Sequence, residues 1–325
     1  GQRQLTPPMA MVHRLPVPGG TQRCSFMSYG FDPAIAQCSP YHGGYLAVVE
    51  AAASLVAAGA SLDRAWLTHQ EYFPKPGSDP ARWGLPLASL LGAFRAQMEL
   101  GLGAIGGKDS MSGSVEHLDV PPTLISFAVA SGRLQDVVSP ELKRPGHTLV
   151  WLQPELGEDG LPVAASLLQN FARALDLMRK GKVAAASTPK YGGAGYALYQ
   201  MALGNGIGVE LNSVLSLGTL FSPAYGSLIL ELTEDLPVGI PLGRTIQESA
   251  LVHGDQRISL EELRVPYESK LEGVFPMQRA AKEEKAPLIT SPHKPLKGVH
   301  IARPRVLIPA FPGTNCEEDT ARAFE

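Results

Sequence analysis

Apolar residues recur at three- and four-residue steps in two stretches of the first hundred positions. The first stretch predicts a helix over Tyr45–Gly59, because Leu46, Val49, Ala53 and Val56 then share one face. The second predicts a helix over Leu85–Leu100, and we expect its apolar face to pack on the core. That face consists of Leu87, Leu91, Phe94 and Met98.

Short apolar runs bounded by turn-forming residues predict strands between these helices. The predicted strands are Cys24–Pro33, which runs into a turn, Trp66–Phe73, Leu102–Ile105 and Thr123–Ala130. The segment Gly1–Gly20 has no clear period and is interpreted as an edge strand completing something outside the chain. Alternation of strands with helices predicts an α/β layer structure.

The pattern changes around Ser139–Gly146, which is polar and contains proline, so we expect a domain boundary there. The second unit is predicted to contain strand Thr148–Leu152, helix Leu161–Met178, helix Tyr196–Leu203, a strand ending at Leu211 and strand Ser227–Leu232. The region from there to Arg264 is only weakly patterned. The predicted boundaries are therefore 1–145 and 146–264.

The last sixty residues differ from both units. Val265–Met277 has apolar spacing for a helix, and Arg279–Gly298 is charged and rich in proline, which is typical of a linker. We assign 265–298 to this linker region. A strand at Arg305–Pro309, a loop and a helix then resemble the start of an open α/β sheet over 299–325, too short to fold alone.

Composition narrows the class of protein. A net charge of −3 argues against a general nucleic-acid binder, and three cysteines without a C-x-x-C pair argue against a disulfide framework or zinc knuckle. No apolar run reaches about 18 residues without a charge, so we expect no membrane association and a cytoplasmic protein.

The candidate chemistry is concentrated in the segment AIGGKDSMSG at 104–113. Gly106 and Gly107 allow a backbone that lies flat against a ligand, and Lys108, Asp109 and Ser110 follow at once. A lysine and backbone amides suit a phosphate, and carboxylate and hydroxyl oxygens suit its magnesium. The segment departs from the P-loop pattern. A glycine turn with a solvated Lys–Asp pair is the alternative from spacing alone.

Three further positions carry open alternatives. Glu50 lies in an apolar helix one turn before Ser54, and it is interpreted as either a metal ligand or a satisfied acid. The pair Gly192–Gly193 precedes a helix and suits either an anion or close packing of that helix. His42, near another glycine pair, is predicted to have a structural role more readily than a ligand-binding one.

The order of several motifs resembles the second synthetase half of the phosphoribosylformylglycinamidine synthase family. GGKDSMSG resembles its Gly-Lys-Asp-Ser signature, and EAAASLV at Glu50–Val56 resembles its Glu-Ala-x-x-Asn helix. YGGAGYALYQMALGNGIGVEL and VPYESKLEGVFPMQ resemble later segments of that half. RPRVLIPAFPGTNCEEDTARAFE resembles the opening of the attached class I glutamine amidotransferase domain.

This resemblance implies an ATP-dependent ligase of purine biosynthesis that converts formylglycinamide ribonucleotide with glutamine-derived ammonia. It implies N- and C-lobes of the aminoimidazole-ribonucleotide-synthetase type. The implied partners are the first synthetase half and the amidotransferase domain of the same polypeptide, and a homodimer of the fragment is a further expectation. The fragment alone is expected to be inactive, and Cys316 does not lie in the Gly-x-Cys-x-Gly string of an amidotransferase nucleophile.

Carried over by position, the resemblance implies that Lys108, Asp109 and Ser110 contact phosphate or magnesium and that Glu50 ligates magnesium beside bound ATP or ADP. Two departures weaken the second-half nucleotide site. Ser54 stands where many members have asparagine, and Lys190–Tyr191 stand where many have Ser-Asp. We therefore expect this site to be rewired or to hold nucleotide weakly.

Selenophosphate synthetase and thiamine-phosphate kinase, two ATP-using enzymes with similar lobes, are alternatives. The amidotransferase-like end of the chain argues against both. A non-catalytic module whose glycines serve packing is the alternative from a different class.

Overall fold

The computed structural model describes residues 5–276, 303 and 305–325. The chain divides into two units, Gly1–Phe275 and Pro276–Glu325. Most of the predicted linker, from residue 277 to 298, lies outside the described residues.

The first part of the larger unit builds one five-stranded sheet with helices against it. Its elements are β1 (Met11–Arg14), β2 (Arg23–Gly30), α1 (Pro33–Cys38), α2 (Pro40–Ala57), β3 (Ala65–Tyr72), α3 (Pro80–Leu100), β4 (Ala104–Lys108), β5 (Ser114–Val115), β6 (Leu118–Asp119) and β7 (Thr123–Arg133). The sheet order is β1-β2-β7-β3-β4. The edge strand predicted near the start of the chain is present as β1, which pairs with β2 of the same chain.

The second part builds a seven-stranded sheet. Its elements are β8 (Thr148–Leu152), α4 (Ala164–Arg179), β9 (Val183–Ser187), α5 (Gly193–Leu203), β10 (Gly208–Leu211), α6 (Leu217–Phe221), β11 (Leu228–Leu232), β12 (Ile240–Ile246), β13 (Ala250–His253), β14 (Gln256–Ser259) and α7 (Leu260–Ser269). The order is β14-β13-β10-β12-β8-β11-β9. Strands β12 to β14 occupy the region where the sequence showed only weak patterning, because most of their residues are partly exposed and the apolar alternation is broken.

Helix α2 is the centre of the larger unit. Ser39 caps its N-terminus and Pro40 occupies the first turn, where a missing N–H costs nothing. Every residue from Gly43 to Ala57 is buried. The helix packs against β2, β7, α3 and α4, and its many alanines let these neighbours approach on all sides.

Helix α3 packs through a face other than the expected one. Its large apolar residues Leu87, Leu91, Phe94 and Met98 are 51–68% exposed. Its buried residues are instead mainly small, among them Ser89, Gly92, Ala93 and Ala96. A Cβ atom at Gly92 would overlap the carbonyl oxygen of Tyr41, so the close approach to α2 requires a residue without a side chain.

The smaller unit has less regular structure than expected. Residues 305–310 form no strand, and helix α8 (Glu317–Phe324) follows. A β-strand needs a neighbouring strand to satisfy its backbone groups, and none pairs with this segment among the described residues. The structure therefore gives no support to the strand that opens the predicted amidotransferase-like end. None of the helices in the described part of the chain is both long and apolar enough to cross a membrane.

Replacing Gly92 by alanine is expected to lower the free energy of unfolding by about 2 kcal/mol, because the added methyl group forces α2 and α3 apart. Gly84 of the same helix is a matched control, since a Cβ there meets nothing within 4 Å. Gly84→Ala should raise stability by about 0.8 kcal/mol through helix propensity. Urea denaturation measures both changes, and equal effects would contradict the packing assigned here.

Candidate functional site

The candidate residues lie at one edge of the five-stranded sheet. The strand register aligns Gly30 of β2 with Ser126 of β7, His69 of β3 and Gly107 of β4. Strands β2, β3 and β4 run in the same direction, so their carboxyl ends meet at this edge. Neighbouring strands are about 4.8 Å apart, which separates Gly30 from Gly107 by about 14 Å.

Gly106 and Gly107 lie within strand β4, whereas the sequence predicted a loop for them. Gly106 has a φ of 150°, which a residue with a side chain rarely adopts. A Cβ atom at Gly107 would overlap the carbonyl oxygen of His69 in β3. The glycine pair therefore allows close pairing of β4 with β3.

The loop begins at Asp109, directly after the last residue of β4, and backbone hydrogen bonds hold it against the end of β3. Ser110 N–H donates to the carbonyl of Glu71 (3.0 Å), and Phe73 N–H donates to the carbonyl of Ser110 (2.9 Å). The hydroxyls of Ser110 and Ser112 are 3.1 Å apart. Lys108 is exposed, and its ammonium makes no ion pair with any described residue. A free cation and two hydroxyls thus stand at the edge of the sheet.

A buried carboxyl group, that of Glu71, lies beside this loop within hydrogen-bonding contact of Asp109. Glu71 is only 2% exposed. Burial, followed by the charge and side-chain hydrogen bond of Asp109, raises the pKa of Glu71 to about 7. Glu71 consequently changes charge near neutral pH.

Buried polar groups without partners lie next to this pair. The Ser126 hydroxyl and both ring nitrogens of His69 are buried and have no hydrogen-bond partner among the described residues. Both side chains point to the helix-covered face, because they alternate with the exposed positions of their strands. Burial lowers the pKa of His69, which keeps the imidazole neutral. Sequence reasoning missed both residues, since their cross-strand alignment depends on the register.

Glu50 is held at the β2 end of the same edge. It is 2% exposed, and its Oε2 accepts the N–H of Phe31 at 3.2 Å. The ammonium of Lys190 forms an ion pair with Oε1. Burial raises the pKa of Glu50, whereas Lys190 and the Phe31 N–H act in the opposite direction. The carboxylate predicted to ligate magnesium therefore has a cationic partner within the protein.

Lys190 belongs to the loop between β9 and α5. This ion pair therefore links the part of the unit that contains the seven-stranded sheet to helix α2, which packs on the five-stranded sheet. The loop ends at Gly192, and α5 begins at Gly193. Gly193 has a φ of 65°, and a Cβ atom there would overlap the carbonyls of Leu220 and Ser222. Close packing on α6 accounts for this glycine, while Gly192 caps α5 without a side-chain hydrogen bond.

Asp32 and Tyr225 complete this end and were missed by the sequence reasoning. Asp32 caps α1 by accepting the N–H groups of Ala34 (2.8 Å) and Ile35 (3.1 Å), and it also accepts the Tyr225 hydroxyl. The Asp-Pro dipeptide at a helix start was the available sequence signal for the cap.

A cavity of about 490 Å³ lies beside α1 and α2, and the second part of the unit forms its other wall. His42 lines this cavity, with Nδ1 2.7 Å from the Ser39 hydroxyl and Nε2 3.2 Å from the Asp159 carbonyl. Both ring nitrogens are occupied, which favours the structural interpretation of His42.

The predicted metal ligands do not come together. Glu50 pairs with Lys190 and Asp109 with Glu71. Across the described ranges, no three His, Cys, Asp or Glu residues are grouped as a metal site would require.

The Glu71–Asp109 pair predicts a specific pH dependence of stability. The folded-state pKa of about 7 lies above the ordinary value of 4.5. Folding therefore retains a proton that the unfolded chain releases, and the free energy of unfolding falls as pH rises through this window. Above about pH 7, this contribution to the free energy of unfolding no longer changes with pH.

Glu71→Gln should remove this dependence and stabilise the chain by about 3 kcal/mol at pH 8 relative to the unsubstituted chain, with little difference at pH 4. Asp109→Asn should reduce the same slope, because it removes the neighbouring charge. Urea titrations across pH measure the effect, and parallel pH profiles for all three chains would refute it.

No protein-family model matches the chain. PurL subunits of phosphoribosylformylglycinamidine synthase from two strains of Lactobacillus delbrueckii subsp. bulgaricus are each 24% identical over 238 residues, which is 66% of this chain. The chain spans 31% of the length of these curated relatives.

Solved structures share the fold at low identity. T. maritima PurL complexed with AMPPCP matches with a TM-score of 0.60 and 14% identity, over 74% of this chain and 44% of that chain. AaThiL complexed with AMPPCP and TMP matches with a TM-score of 0.55 and 14% identity, over 77% of this chain and 88% of that chain. The chain is therefore similar in sequence to PurL subunits of phosphoribosylformylglycinamidine synthase, and it has the α/β fold, of the aminoimidazole-ribonucleotide-synthetase type, that the PurL and ThiL structures share.

Proposed function

We propose that this chain is part of the ATP-dependent ligase that converts formylglycinamide ribonucleotide to the amidine. The observation that carries the proposal is the sequence similarity to PurL over most of the larger unit, in a fold that PurL also has. Solved PurL structures hold ATP and FGAR, the nucleotide and ribonucleotide that this reaction requires. ATP would activate the formamide oxygen as a phosphate ester, and ammonia from glutamine would then displace the phosphate.

The edge of the five-stranded sheet is the proposed phosphate-binding region. Lys108 offers a cation that pairs with no carboxylate among the described residues, and Ser110 offers a hydroxyl and a backbone fixed by hydrogen bonds next to it. Gly106 and Gly107 have no side chains, so a ligand could approach the backbone of β4 closely at these two positions. Gly192 and Gly193 at the start of α5 are a second proposed anion contact.

Magnesium accompanies the nucleotide in this proposal. Asp109 is the exposed carboxylate that fits this role, because Glu50 already has a protein cation beside it. The ion would supply positive charge that offsets the phosphates.

The remaining parts of the enzyme are also proposals. Residues 1–145 and 146–264 would be the two lobes of one synthetase half, with 265–298 as linker and 299–325 as the beginning of the amidotransferase. The first synthetase half, or a second copy of this chain, would then cover exposed apolar residues such as Trp66 and Phe94, which are 50% and 59% exposed. A cytoplasmic location goes with this biosynthetic role.

The similarity of the fold to AaThiL leaves a small-molecule kinase as an alternative function. The curated relatives with similar sequences are PurL subunits, which favours the ligase. A scaffold without chemistry is the other alternative, and it makes a different prediction for Lys108.

Lys108→Ala in the complete enzyme is expected to lower kcat with formylglycinamide ribonucleotide, ATP and ammonia by about 100-fold, because charge on the transferred phosphate is no longer balanced. Lys180→Ala is the control, since Lys180 is a 62% exposed surface lysine at the C-cap of α4. ADP release measures turnover, and thermal unfolding verifies folding. Full turnover in a folded Lys108→Ala enzyme would refute the ligand role, and lost folding would favour the scaffold.

A further inference from the structure

We propose that Lys190 supplies the cation for the buried Glu50 carboxylate, so that this position takes no divalent metal and instead forms a metal-independent link between the two sheets. A magnesium ion is what the family resemblance implies for Glu50. The residues around Glu50 do not fit that ion.

Both carboxylate oxygens of Glu50 are already engaged. Oε1 faces the Lys190 ammonium, and Oε2 accepts the Phe31 N–H at 3.2 Å. Magnesium takes about six oxygen ligands in near-octahedral geometry at about 2.1 Å. An ammonium at Oε1 repels such an ion, and an N–H donor on Oε2 competes with it for the same lone pairs.

The charge of Asp32 acts on Glu50, but the Asp32 carboxylate already accepts two backbone N–H groups and the Tyr225 hydroxyl. Ser54, one turn along α2, offers at most a neutral hydroxyl, and Tyr191 is 61% exposed and carries no carboxylate. No metal-ligand group of three appears in the described segments of the chain.

Backbone hydrogen bonds and an aromatic ring fix the position of Lys190. Its carbonyl accepts the N–H groups of Gly193 (2.9 Å) and Ala224 (3.4 Å), which anchor the backbone of the loop. Its ammonium lies 5.4 Å from the centre of the Tyr29 ring, a cation–π distance. Lys190 therefore reaches from the loop before α5 to α2 and β2, where a buried negative charge requires a positive partner.

The chain provides a matched control. Lys182 pairs with Glu234 at 2.8 Å and is 37% exposed, almost as Lys190 is at 38%. The partners differ, because the Glu234 side chain is 48% exposed and that of Glu50 is 2% exposed. Only the loss of Lys190 leaves a carboxylate buried and unpaired.

The first test is thermal unfolding of the nucleotide-free chain in EDTA and in magnesium. Lys190→Met should lower Tm by about 5 °C or more in both, whereas Lys182→Met should change it by less than about 1 °C. Adding Glu50→Gln to Lys190→Met should restore most of the loss, because the cation is needed only while the carboxylate is present. Equal losses for the two lysine variants, or no rescue, would overturn the proposal.

The second test is Mn²⁺ binding followed by electron paramagnetic resonance without nucleotide. The unsubstituted chain and Glu50→Gln should bind Mn²⁺ equally, and the double variant Lys190→Ser with Tyr191→Asp should gain a site. A Glu50-dependent Mn²⁺ site in the unsubstituted chain would overturn the proposal. Neither measurement uses ligase turnover, so a failure here is separate from a failure of the proposed function.

Discussion

The complete burial of helix α2 is the constraint on which the larger unit depends. With no exposed side from Gly43 to Ala57, this helix can carry a polar residue only where a neighbour satisfies it. Ser28 shows this on the sheet side, because its hydroxyl donates to the carbonyl of Ala51 at 2.7 Å. Glu50 is the charged case, and it requires groups from the residue that follows β2 and from the loop before α5. The burial of one helix thus couples elements that are 140 residues apart in the chain.

The same packing concentrates polar groups at one edge of the five-stranded sheet. Towards the other end, the face under α2 is closed by Cys24, Phe26 and Leu67. Towards the carboxyl ends of β2, β3 and β4 it carries Ser126, His69 and Glu71 instead. Polar groups are costly inside a core unless they serve a contact, so their accumulation beside the Lys108–Ser110 segment distinguishes this edge from the rest of the sheet.

Helix α3 shows how packing overrides amphipathic patterning. Its large apolar residues would give more hydrophobic burial, but α2 is approached closely only by a face of small residues. Backbone contact through Gly44 and Gly92 brings the helices together, and the large side chains are left outside. An exposed stripe of this kind is typical of a surface that another domain or subunit covers.

The sequence alone determined the α/β class and most of the helices and strands, and it supplied the motif behind the proposed phosphate-binding segment, because periodicity and short-range motifs are local properties. Tertiary structure decided which face of α3 is buried, that Gly106 and Gly107 belong to a strand, and that Lys190 pairs with Glu50. It also brought His69 and Ser126 side by side through the register of β3 and β7. These features depend on contacts between residues distant in the chain, and no local pattern encodes which distant backbone approaches closely enough to exclude a side chain or to satisfy a buried charge.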